Sequence, residues 1–289
     1  MREWCYNKHG DFMNKTLAID LDGTLFYPKK RRTMIPKKNL LFLQDFLSAG
    51  GRVVIVTGRN YNFAKRVMEK VGHSMDVIGC NGAMIYADGK MVDENAINPQ
   101  VFEKCYKDLK DLFHFDNWIM MTRDVNMVLS IPNYLPFRKL LYRLVYASQG
   151  IYAEKYEINL QKFDHEMKQG KIYKVMIFFG LGKKGKQKAC EATKMIREKF
   201  PEIEASWSDN FIELTAPVAN KANGLKKYCD IVGIDHESLV VAGDSGNDIA
   251  MFKEFHENSF CMSHASPKIQ KYAAHVIDMV ADLEPYLKK

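Results

Sequence analysis

Residues 16–24 read Thr-Leu-Ala-Ile-Asp-Leu-Asp-Gly-Thr, a short apolar run that ends in two aspartates two positions apart. The run predicts a buried strand over Thr16 to Asp20. Gly23 favours a sharp turn, since glycine adopts backbone conformations that are closed to other residues. In open α/β sheets, ligands bind beyond the carboxyl ends of the strands. Asp20 and Asp22 are therefore expected where a ligand would lie, although a purely structural polar turn has the same composition.

The segments on either side of the chain's middle alternate between helix and strand. Predicted elements after the first strand are a helix over Lys37 to Ala49, a strand over Val53 to Val56, a helix over Asn60 to Val71 and a strand over Asp76 to Gly79. The continuous β-branched run at Val53 to Val56 is typical of a parallel strand buried on both faces. The alternation resumes at Lys221. This order predicts an α/β fold with a doubly wound, parallel, Rossmann-like core sheet.

Between these halves the predicted strands come in adjacent pairs, which indicates a mostly antiparallel sheet. We expect a core domain formed by residues 1–86 and 211–289, interrupted by an inserted α+β cap domain over residues 87–210. In the insert we expect a helix over Pro136 to Gln149 and a core face formed by the aromatic residues 134, 137, 142 and 146, with the cap's substrate pocket as the alternative position for some of them. Residues 1–14 have the composition of a polar extension, and we hypothesise that Met13 begins the native chain, which N-terminal sequencing would test.

Composition excludes several classes of protein. The chain has 289 residues, 47% of them hydrophobic and 27% charged, which is ordinary for globular domains and argues against disorder or a disulfide scaffold. Its six scattered cysteines form no Cys-x-x-Cys pair, and this favours a reducing, cytoplasmic compartment. No apolar run approaches the length of a membrane span. The net charge of +7 favours an anionic partner, but no clustered basic face indicates nucleic acid.

A second pair of aspartates follows the predicted strand at Leu239 to Ala242. The segment reads Gly243-Asp244-Ser245-Gly246-Asn247-Asp248. Four carboxylates that meet at the edge of one parallel sheet would repel each other strongly unless a cation or protons compensated them. Oxygen ligands without neighbouring histidine or cysteine favour Mg²⁺ over Zn²⁺. The sequence therefore predicts a magnesium site.

Two further features suggest a site for an anion. Thr57 and Gly58 lie between a predicted strand and a helix, where a hydroxyl and free amides can bind phosphate, although a threonine there is often only a helix cap. Lys221 begins a predicted helix, where its charge opposes the helix dipole unless an anion lies nearby. Three strand exits together with one lysine thus suggest a site for magnesium and phosphate.

These motifs resemble the haloacid dehalogenase-like (HAD) hydrolases, and within them the Cof-type phosphatases with a large α+β cap. The resemblance covers about residues 14–289, and its motifs occur in the family's order. The motifs are Asp20-Leu21-Asp22-Gly23-Thr24, Val56-Thr57-Gly58-Arg59, Cys80-Asn81-Gly82-Ala83, Asn220-Lys221-Ala222-Asn223-Gly224 and Gly243-Asp244-Ser245-Gly246-Asn247-Asp248.

The resemblance implies a role for each matching residue. Asp20 is the expected nucleophile, which forms an aspartyl-phosphate, and Asp22 is the expected general acid and base. Asp20, Asp244 and the backbone carbonyl of Asp22 are the expected Mg²⁺ ligands. The remaining assignments place Thr57, Gly58, Lys221 and Asn247 at the phosphate, Asp248 behind the ligands as an orienting residue, and Asn81 in the substrate pocket.

The sequence also departs from the family pattern. Ser263-His264-Ala265 stands where the family has a Gly-Asn-Ala turn, and the glycine that usually follows the motif lysine is displaced to Gly224. The histidines show no spacing typical of a metal site, so we expect surface or packing roles for them. These departures concern loop geometry and substrate fit rather than the predicted nucleophile, acid or metal ligands.

Three function classes follow from this interpretation. The first is a magnesium-dependent phosphatase that acts on a phosphomonoester of a small metabolite, such as a sugar phosphate. The second is a phosphotransferase or phosphosugar mutase, which uses the same core and the same aspartates. The third is a non-enzymatic binding protein, against which the intact Asp20 and Asp22 argue. The expected partner is a small phosphorylated metabolite, with no nucleic acid and no membrane. Neither the individual substrate nor the oligomeric state can be read from the sequence.

Overall fold

The computed structural model describes residue 12 and residues 14–113, 118–132, 134–208 and 210–288. Two compact units are present: the first ends at Asp93 and resumes at Asn220, and the second runs from Glu94 to Ala219. Residues 1–11 and Met13, which carry the hypotheses of a polar extension and an internal start, lie outside the described residues. Among the described helices, none has both the length and the apolar character needed to cross a bilayer.

The described chain contains fourteen strands and ten α-helices. The strands are β1 Thr16–Ile19, β2 Arg52–Val56, β3 Asp76–Gly79, β4 Met84–Ala87, β5 Lys90–Glu94, β6 Trp118–Thr122, β7 Val128–Leu129, β8 Glu157–Ile158, β9 Ile172–Phe178, β10 Glu204–Ser208, β11 Phe211–Thr215, β12 Leu239–Gly243, β13 Ser259–Met262 and β14 His275–Ile277. The helices are α1 Lys37–Ser48, α2 Tyr61–Val71, α3 Pro99–Phe113, α4 Pro136–Gln149, α5 Leu160–Gln169, α6 Gly182–Lys199, α7 Lys221–Val232, α8 Ile249–Glu254, α9 Pro267–Gln270 and α10 Glu284–Leu287.

The first unit is built on an eight-stranded sheet in the order β14-β13-β12-β1-β2-β3-β4-β5. The six strands from β14 to β3 are parallel to one another, and β4 pairs antiparallel with β3. Buried residues on one face of the sheet pack against Leu225 of α7 and Phe252 of α8. The predicted fold class, a parallel α/β core with an inserted α+β unit, is confirmed.

The second unit is built on a six-stranded sheet in the order β10-β11-β9-β6-β7-β8. Its pairs are antiparallel except for β7 with β8. Because β11 pairs along its whole length with β9, it belongs to this sheet. The predicted core boundary at residue 211 therefore moves to Asn220, and the first boundary moves from residue 86 to Asp93.

One face of this second sheet is closely packed by helices. Trp118 of β6 is fully buried against Phe102 and Tyr106 of α3, with ring centroids 6.1 and 4.8 Å away, and Tyr106 also contacts Phe163 of α5. The helix α4 is packed less closely, since only its Tyr146 is buried. The predicted core face is wrong for residues 134 and 137, which are both 76% exposed.

Candidate active site

Asp20 and Lys221 form the buried centre of the site. The Asp20 backbone amide, directly after β1, donates to the carbonyl of Ala242 at 3.0 Å, which fixes this residue at the strand exit. The Nζ atom of Lys221, in the first turn of α7, lies 2.7 Å from Oδ1 of Asp20 and 2.7 Å from Oδ1 of Asp248. Asp20 is 5% exposed, and Lys221 and Asp248 are fully buried. One lysine therefore bridges carboxylates from two strand exits.

The electrostatics of this centre follow from burial. Burial raises the pKa of the Asp20 carboxyl, Lys221 opposes the rise, and the neighbouring Asp248 and Asp22 add to it. Burial alone would lower the pKa of Lys221, but Asp20 and Asp248 raise it above its usual value, so the lysine stays charged. The anion that a lysine at a helix start requires is thus supplied by the protein itself.

Both carboxylate oxygens of Asp248 accept hydrogen bonds from the protein. Its Oδ1 accepts from Lys221, and its Oδ2 accepts from the backbone amides of Asp244 and Ser245 at 3.0 and 2.9 Å and from the Ser245 hydroxyl at 3.2 Å. These contacts hold the turn that carries Asp244. That Asp248 orients the site from behind the ligands stays a prediction.

Asp244 lies between a hydroxyl and a histidine. Its Oδ1 accepts from Oγ1 of Thr24 at 3.1 Å, and its Oδ2 lies 3.6 Å from Nε2 of His264. The His264 ring stacks on Tyr27, with centroids 3.7 Å apart. Gly23, at φ +81°, allows this approach, because a Cβ there would lie 2.2 Å from Oδ2 of Asp244. Burial raises the pKa of Asp244, and Asp248 adds to the rise.

Asp22 is held by Arg59. The guanidinium donates from Nε to Oδ2 of Asp22 at 2.5 Å and from Nη2 to Oδ1 at 2.7 Å, the two-pronged geometry that arginine forms with carboxylates. Arg59 also lies 3.9 Å above the ring of Phe63. Asp22 is about half exposed, whereas Asp20 is buried. The predicted acid/base residue therefore has both oxygens engaged by an arginine to which the sequence interpretation gave no role.

Thr57 and Gly58 follow β2. The α2 helix is capped by Asn60, which accepts from the amide of Asn62, so Thr57 is not a helix cap. The Thr57 hydroxyl accepts from the amide of Arg59 at 3.2 Å, and the residue is 1% exposed. Its proton has no acceptor among the described residues, which leaves the Thr57 hydroxyl able to donate to a bound anion.

Asn81 and Asn247 meet at the neighbouring strand exit. Nδ2 of Asn247 donates to Oδ1 of Asn81 at 3.2 Å, and Asn247 also accepts from the Ser245 hydroxyl. Cys80 and Asn81 both have positive φ, at 49° and 59°. Such conformations cost on the order of 1–3 kcal/mol each and persist where the surroundings enforce them. Here the amides of Cys80 and Asn81 donate to the carbonyls of Arg59 and Thr57.

The carboxylates fit a divalent cation. Asp20, Asp244 and Asp248 each offer an oxygen within 4.8 Å of the others. Both oxygens of Asp248 accept hydrogen bonds, whereas Oδ2 of Asp20 accepts none from the described residues, so Asp20 and Asp244 are better placed to hold a metal. When all four site aspartates are ionised, Lys221 and Arg59 compensate two of the four negative charges, and a divalent cation would compensate the other two. All-oxygen donors favour Mg²⁺.

Comparison with known proteins identifies the family. The sequence profile of the haloacid dehalogenase-like hydrolases matches residues 17–284. The chain belongs to the haloacid dehalogenase-like hydrolases. The resemblance predicted from the motifs and the predicted enzyme class, a HAD-like hydrolase, are confirmed.

Relatives of this HAD-like hydrolase cover nearly the whole chain. The putative phosphatase YxeH of Bacillus subtilis is 26% identical over 263 residues, which cover 90% of this chain and 92% of the relative. The phosphatase YbjI of Escherichia coli, described as acting on 5-amino-6-(5-phospho-D-ribitylamino)uracil, is 23% identical over 88% of this chain and 87% of the relative. Among solved structures, a HAD subclass IIB sugar phosphatase shares the fold with a TM-score of 0.71 at 19% identity. The match covers 95% of this chain and 100% of that structure.

The sequence interpretation missed Arg59 and His264. Arg59 stands inside a quoted motif, but no pattern in the sequence indicates that its side chain reaches a carboxylate of another strand exit. His264 was noted only as a departure from the family turn. Its place after a core strand was a usable signal, since ligands bind at that edge of the sheet.

Proposed function

We propose that this HAD-like hydrolase is a magnesium-dependent phosphatase that cleaves a phosphomonoester of a small metabolite through an aspartyl-phosphate at Asp20. The observation that carries the proposal is the Lys221 bridge between Asp20 and Asp248 beside Asp244. In this arrangement the oxygen proposed to attack, a positive charge and the proposed metal ligand Asp244 lie close together. The phosphatases among the relatives support the same reaction class.

In the first half of the reaction, a carboxylate oxygen of Asp20 attacks phosphorus. The bond between phosphorus and the ester oxygen breaks, and Asp22 gives its proton to the departing alcohol. Asp22 must first leave Arg59 and take up a proton from water, because both of its oxygens accept from the guanidinium in the resting protein. We therefore assign Arg59 as a positioning residue that holds Asp22 until substrate arrives.

In the second half, water attacks the phosphorus of the aspartyl-phosphate. Asp22, now a carboxylate, takes the proton of this water, and the acyl-phosphate bond breaks. Phosphate leaves, Asp20 regains its carboxylate and Asp22 is again protonated. The cycle needs no co-reactant other than water.

The remaining residues stabilise the phosphoryl group. Lys221 supplies a fixed positive charge, and the Thr57 hydroxyl supplies a donor without a competing acceptor among the described residues. Donors fixed in a buried site stabilise developing charge better than water does, because they need not reorient. A magnesium ion held by Asp20, Asp244 and the Asp22 carbonyl would neutralise charge on the phosphoryl oxygens.

The experiment that tests this function is a phosphate-release screen. Purified protein with Mg²⁺ is incubated with a panel of phosphorylated metabolites and with p-nitrophenyl phosphate, and free phosphate is measured. We expect turnover that EDTA abolishes and that Asp20→Asn lowers by at least about three orders of magnitude. Asp45→Asn, which changes an aspartate on α1, is the matched control and should retain activity. Full activity of Asp20→Asn would overturn the proposal.

The same screen separates the rival functions. A mutase or phosphotransferase would pass the phosphoryl group to a second hydroxyl, so product would form without an equal amount of free phosphate. A binding protein would bind a phosphorylated metabolite without converting it. We further propose that the second unit sets substrate specificity and that the enzyme works in the cytoplasm.

A further inference from the structure

A cavity of about 700 Å³ that is open to solvent lies between α4 and the sheet of the second unit. Its volume is in the range of small-molecule sites, roughly 300–1,000 Å³. The helix contributes residues that repeat at three- and four-residue spacing and so form one face. The sheet contributes alternate residues of β9 and β11, such as Met176, Phe178 and Phe211.

The two faces of this sheet differ in how well they are filled. On the face of α3 and α5, aromatic side chains are in direct contact and buried. On the face of α4, Leu141 and Val145 point into the cavity and remain about half exposed. The helix is fixed mainly at its C-terminal end, where Tyr146 stacks on Tyr156 and its hydroxyl contacts the sulfur of Met127.

The floor of the cavity is aromatic. The rings of Phe178 and Phe211 lie with centroids 4.8 Å apart and an interplanar angle of 30°. Ile119 of β6 also lines the cavity. A flat ring system is the ligand shape that such a surface contacts best, because aromatic groups prefer offset stacking and edge contacts.

The charges at the cavity are unbalanced. Glu213 is paired with Lys174 at 2.9 Å, so its charge is compensated. Arg138, in the first turn of α4, lines the cavity and forms no ion pair with any residue in the described part of the chain. One positive charge therefore faces an otherwise apolar space, an arrangement that suits an anionic group on an apolar body.

From this geometry we propose that the cavity between α4 and the second sheet binds a small molecule with an aromatic body and an anionic group. The rings would lie on Phe178 and Phe211, and the anion would meet Arg138. The proposal concerns the second unit alone and does not depend on the phosphatase function.

Anilinonaphthalene sulfonate is a suitable probe, since it joins fused rings to an anion. Titration of the full-length protein, followed by fluorescence and calorimetry, should show saturable binding of one probe per chain. Leu141→Glu, which lines the cavity, should weaken binding by at least about tenfold, because a carboxylate would enter an apolar space. Leu144→Glu is the matched control: Leu144 lies on the same helix, is 60% exposed and does not line the cavity. Val145→Glu repeats the test if Leu141→Glu fails to fold by circular dichroism.

The anionic requirement is tested separately. Arg138→Gln should weaken the sulfonate by about tenfold and leave the neutral analogue phenylnaphthylamine unchanged, because only the charged probe loses an ionic hydrogen bond. Arg143→Gln on the same helix should alter neither. Absence of saturable binding, or equal losses for Leu141→Glu and Leu144→Glu, would overturn the proposal. If the wild-type protein binds no probe but is a dimer, and Leu144→Glu dissociates that dimer, the exposed face of α4 contacts a second copy of the chain and the proposal is overturned.

Discussion

Lys221 and Asp20 are 201 positions apart in the chain, and the Lys221 ammonium nitrogen lies 2.7 Å from Oδ1 of Asp20 in the buried centre of the site. The same nitrogen lies 2.7 Å from Asp248. Two carboxylates thus depend on one cation for their compensation. Because a buried charge without a partner is costly, this contact links the stability of the core to the chemistry of the site.

Replacing Lys221 with methionine keeps much of its volume and removes its charge. Without divalent cations, we expect a loss of about 3–5 kcal/mol in the free energy of unfolding, because two buried carboxylates lose their partner. Urea denaturation measures this. Mg²⁺ should restore part of the loss by supplying another cation.

The control for this prediction is Lys226→Met. Lys226 lies on the same helix and pairs with Glu254 at 2.8 Å, but its side chain is 44% exposed rather than buried. Surface pairs contribute about 0–1 kcal/mol, so this variant should be nearly neutral. Equal losses for the two variants would mean that the buried bridge has no special role.

Arg59→Met tests whether Arg59 positions Asp22. Methionine keeps an apolar stem over Phe63 and removes the guanidinium. We expect kcat to fall by about ten- to a hundredfold with little change in KM, since a misplaced acid slows the chemical step more than binding. The loss should be larger for an alkyl phosphate, whose leaving group needs the proton, than for p-nitrophenyl phosphate.

Arg66→Met serves as the comparison. Its guanidinium also lies over Phe63, at 5.0 Å, but on the helix rather than at the site. An equal fall in kcat for both arginine variants would trace the effect to packing on Phe63, and an unchanged kcat for Arg59→Met would remove Arg59 from the mechanism.

Metal binding should depend on Asp244. Mg²⁺ is expected to raise the melting temperature of the wild-type protein in proportion to its occupancy, because a ligand that binds only the folded state stabilises it. Asp244→Asn should abolish that rise, whereas Asp230→Asn, at an exposed carboxylate, should preserve it. A wild-type Tm that does not respond to Mg²⁺ would contradict the proposed metal site.

The variant His264→Asn tests whether His264 contributes to Mg²⁺ binding at Asp244. His264 flanks Asp244 from the side opposite to Thr24, so its loss should loosen the carboxylate. Residues that orient metal ligands typically change affinity by about 10–100-fold when replaced. We expect the Mg²⁺ dissociation constant, measured by calorimetry, to rise by about tenfold at this position.

Gly82→Ala should disturb the site through the backbone. Gly82 has φ +101°, and a Cβ there would lie 2.3 Å from the carbonyl oxygen of Asn220, which caps the helix that carries Lys221. We expect a loss of about 2–4 kcal/mol together with reduced activity, from strain and overpacking combined. Gly89→Ala isolates the strain alone, because Gly89 has φ +75° with open space around it and should cost about 1–2 kcal/mol. Equal costs would mean that the Asn220 contact is unimportant.

The parallel core was predictable because its signals are local and repeated. Strands such as Val53 to Val56 are continuous apolar runs. Because the carboxyl ends of parallel strands share one edge of the sheet, the order of the strands alone predicted that the aspartates after them lie close together. The β4–β5 connection at Asp88-Gly89 was missed, although this dipeptide is a strong hairpin signal and both residues have positive φ. The helix α5 and the short strand β8 were also missed.

Other features depend on three-dimensional approach and have no periodic signature. The contact of Arg59 with Asp22 joins two loops, and the stacking of His264 on Tyr27 depends on loop conformation. The periodicity of α4 identified an apolar face correctly, but periodicity does not indicate whether a sheet lies close enough to fill it. Tyr134, which precedes α4, and Phe137, which does not line the cavity, are exposed, where a core face was expected.

The most direct test of the central claim is to trap the phosphoryl group. Asp22→Asn removes the proposed base for the second step, while p-nitrophenyl phosphate needs little help from an acid in the first. Acid-quenched Asp22→Asn protein, digested and analysed by mass spectrometry, should carry one phosphoryl group on the peptide that contains Asp20. Asp20→Asn treated in the same way should carry none. A phosphoryl group on another residue, or substrate turnover with no phosphorylated peptide at any time point, would contradict the account.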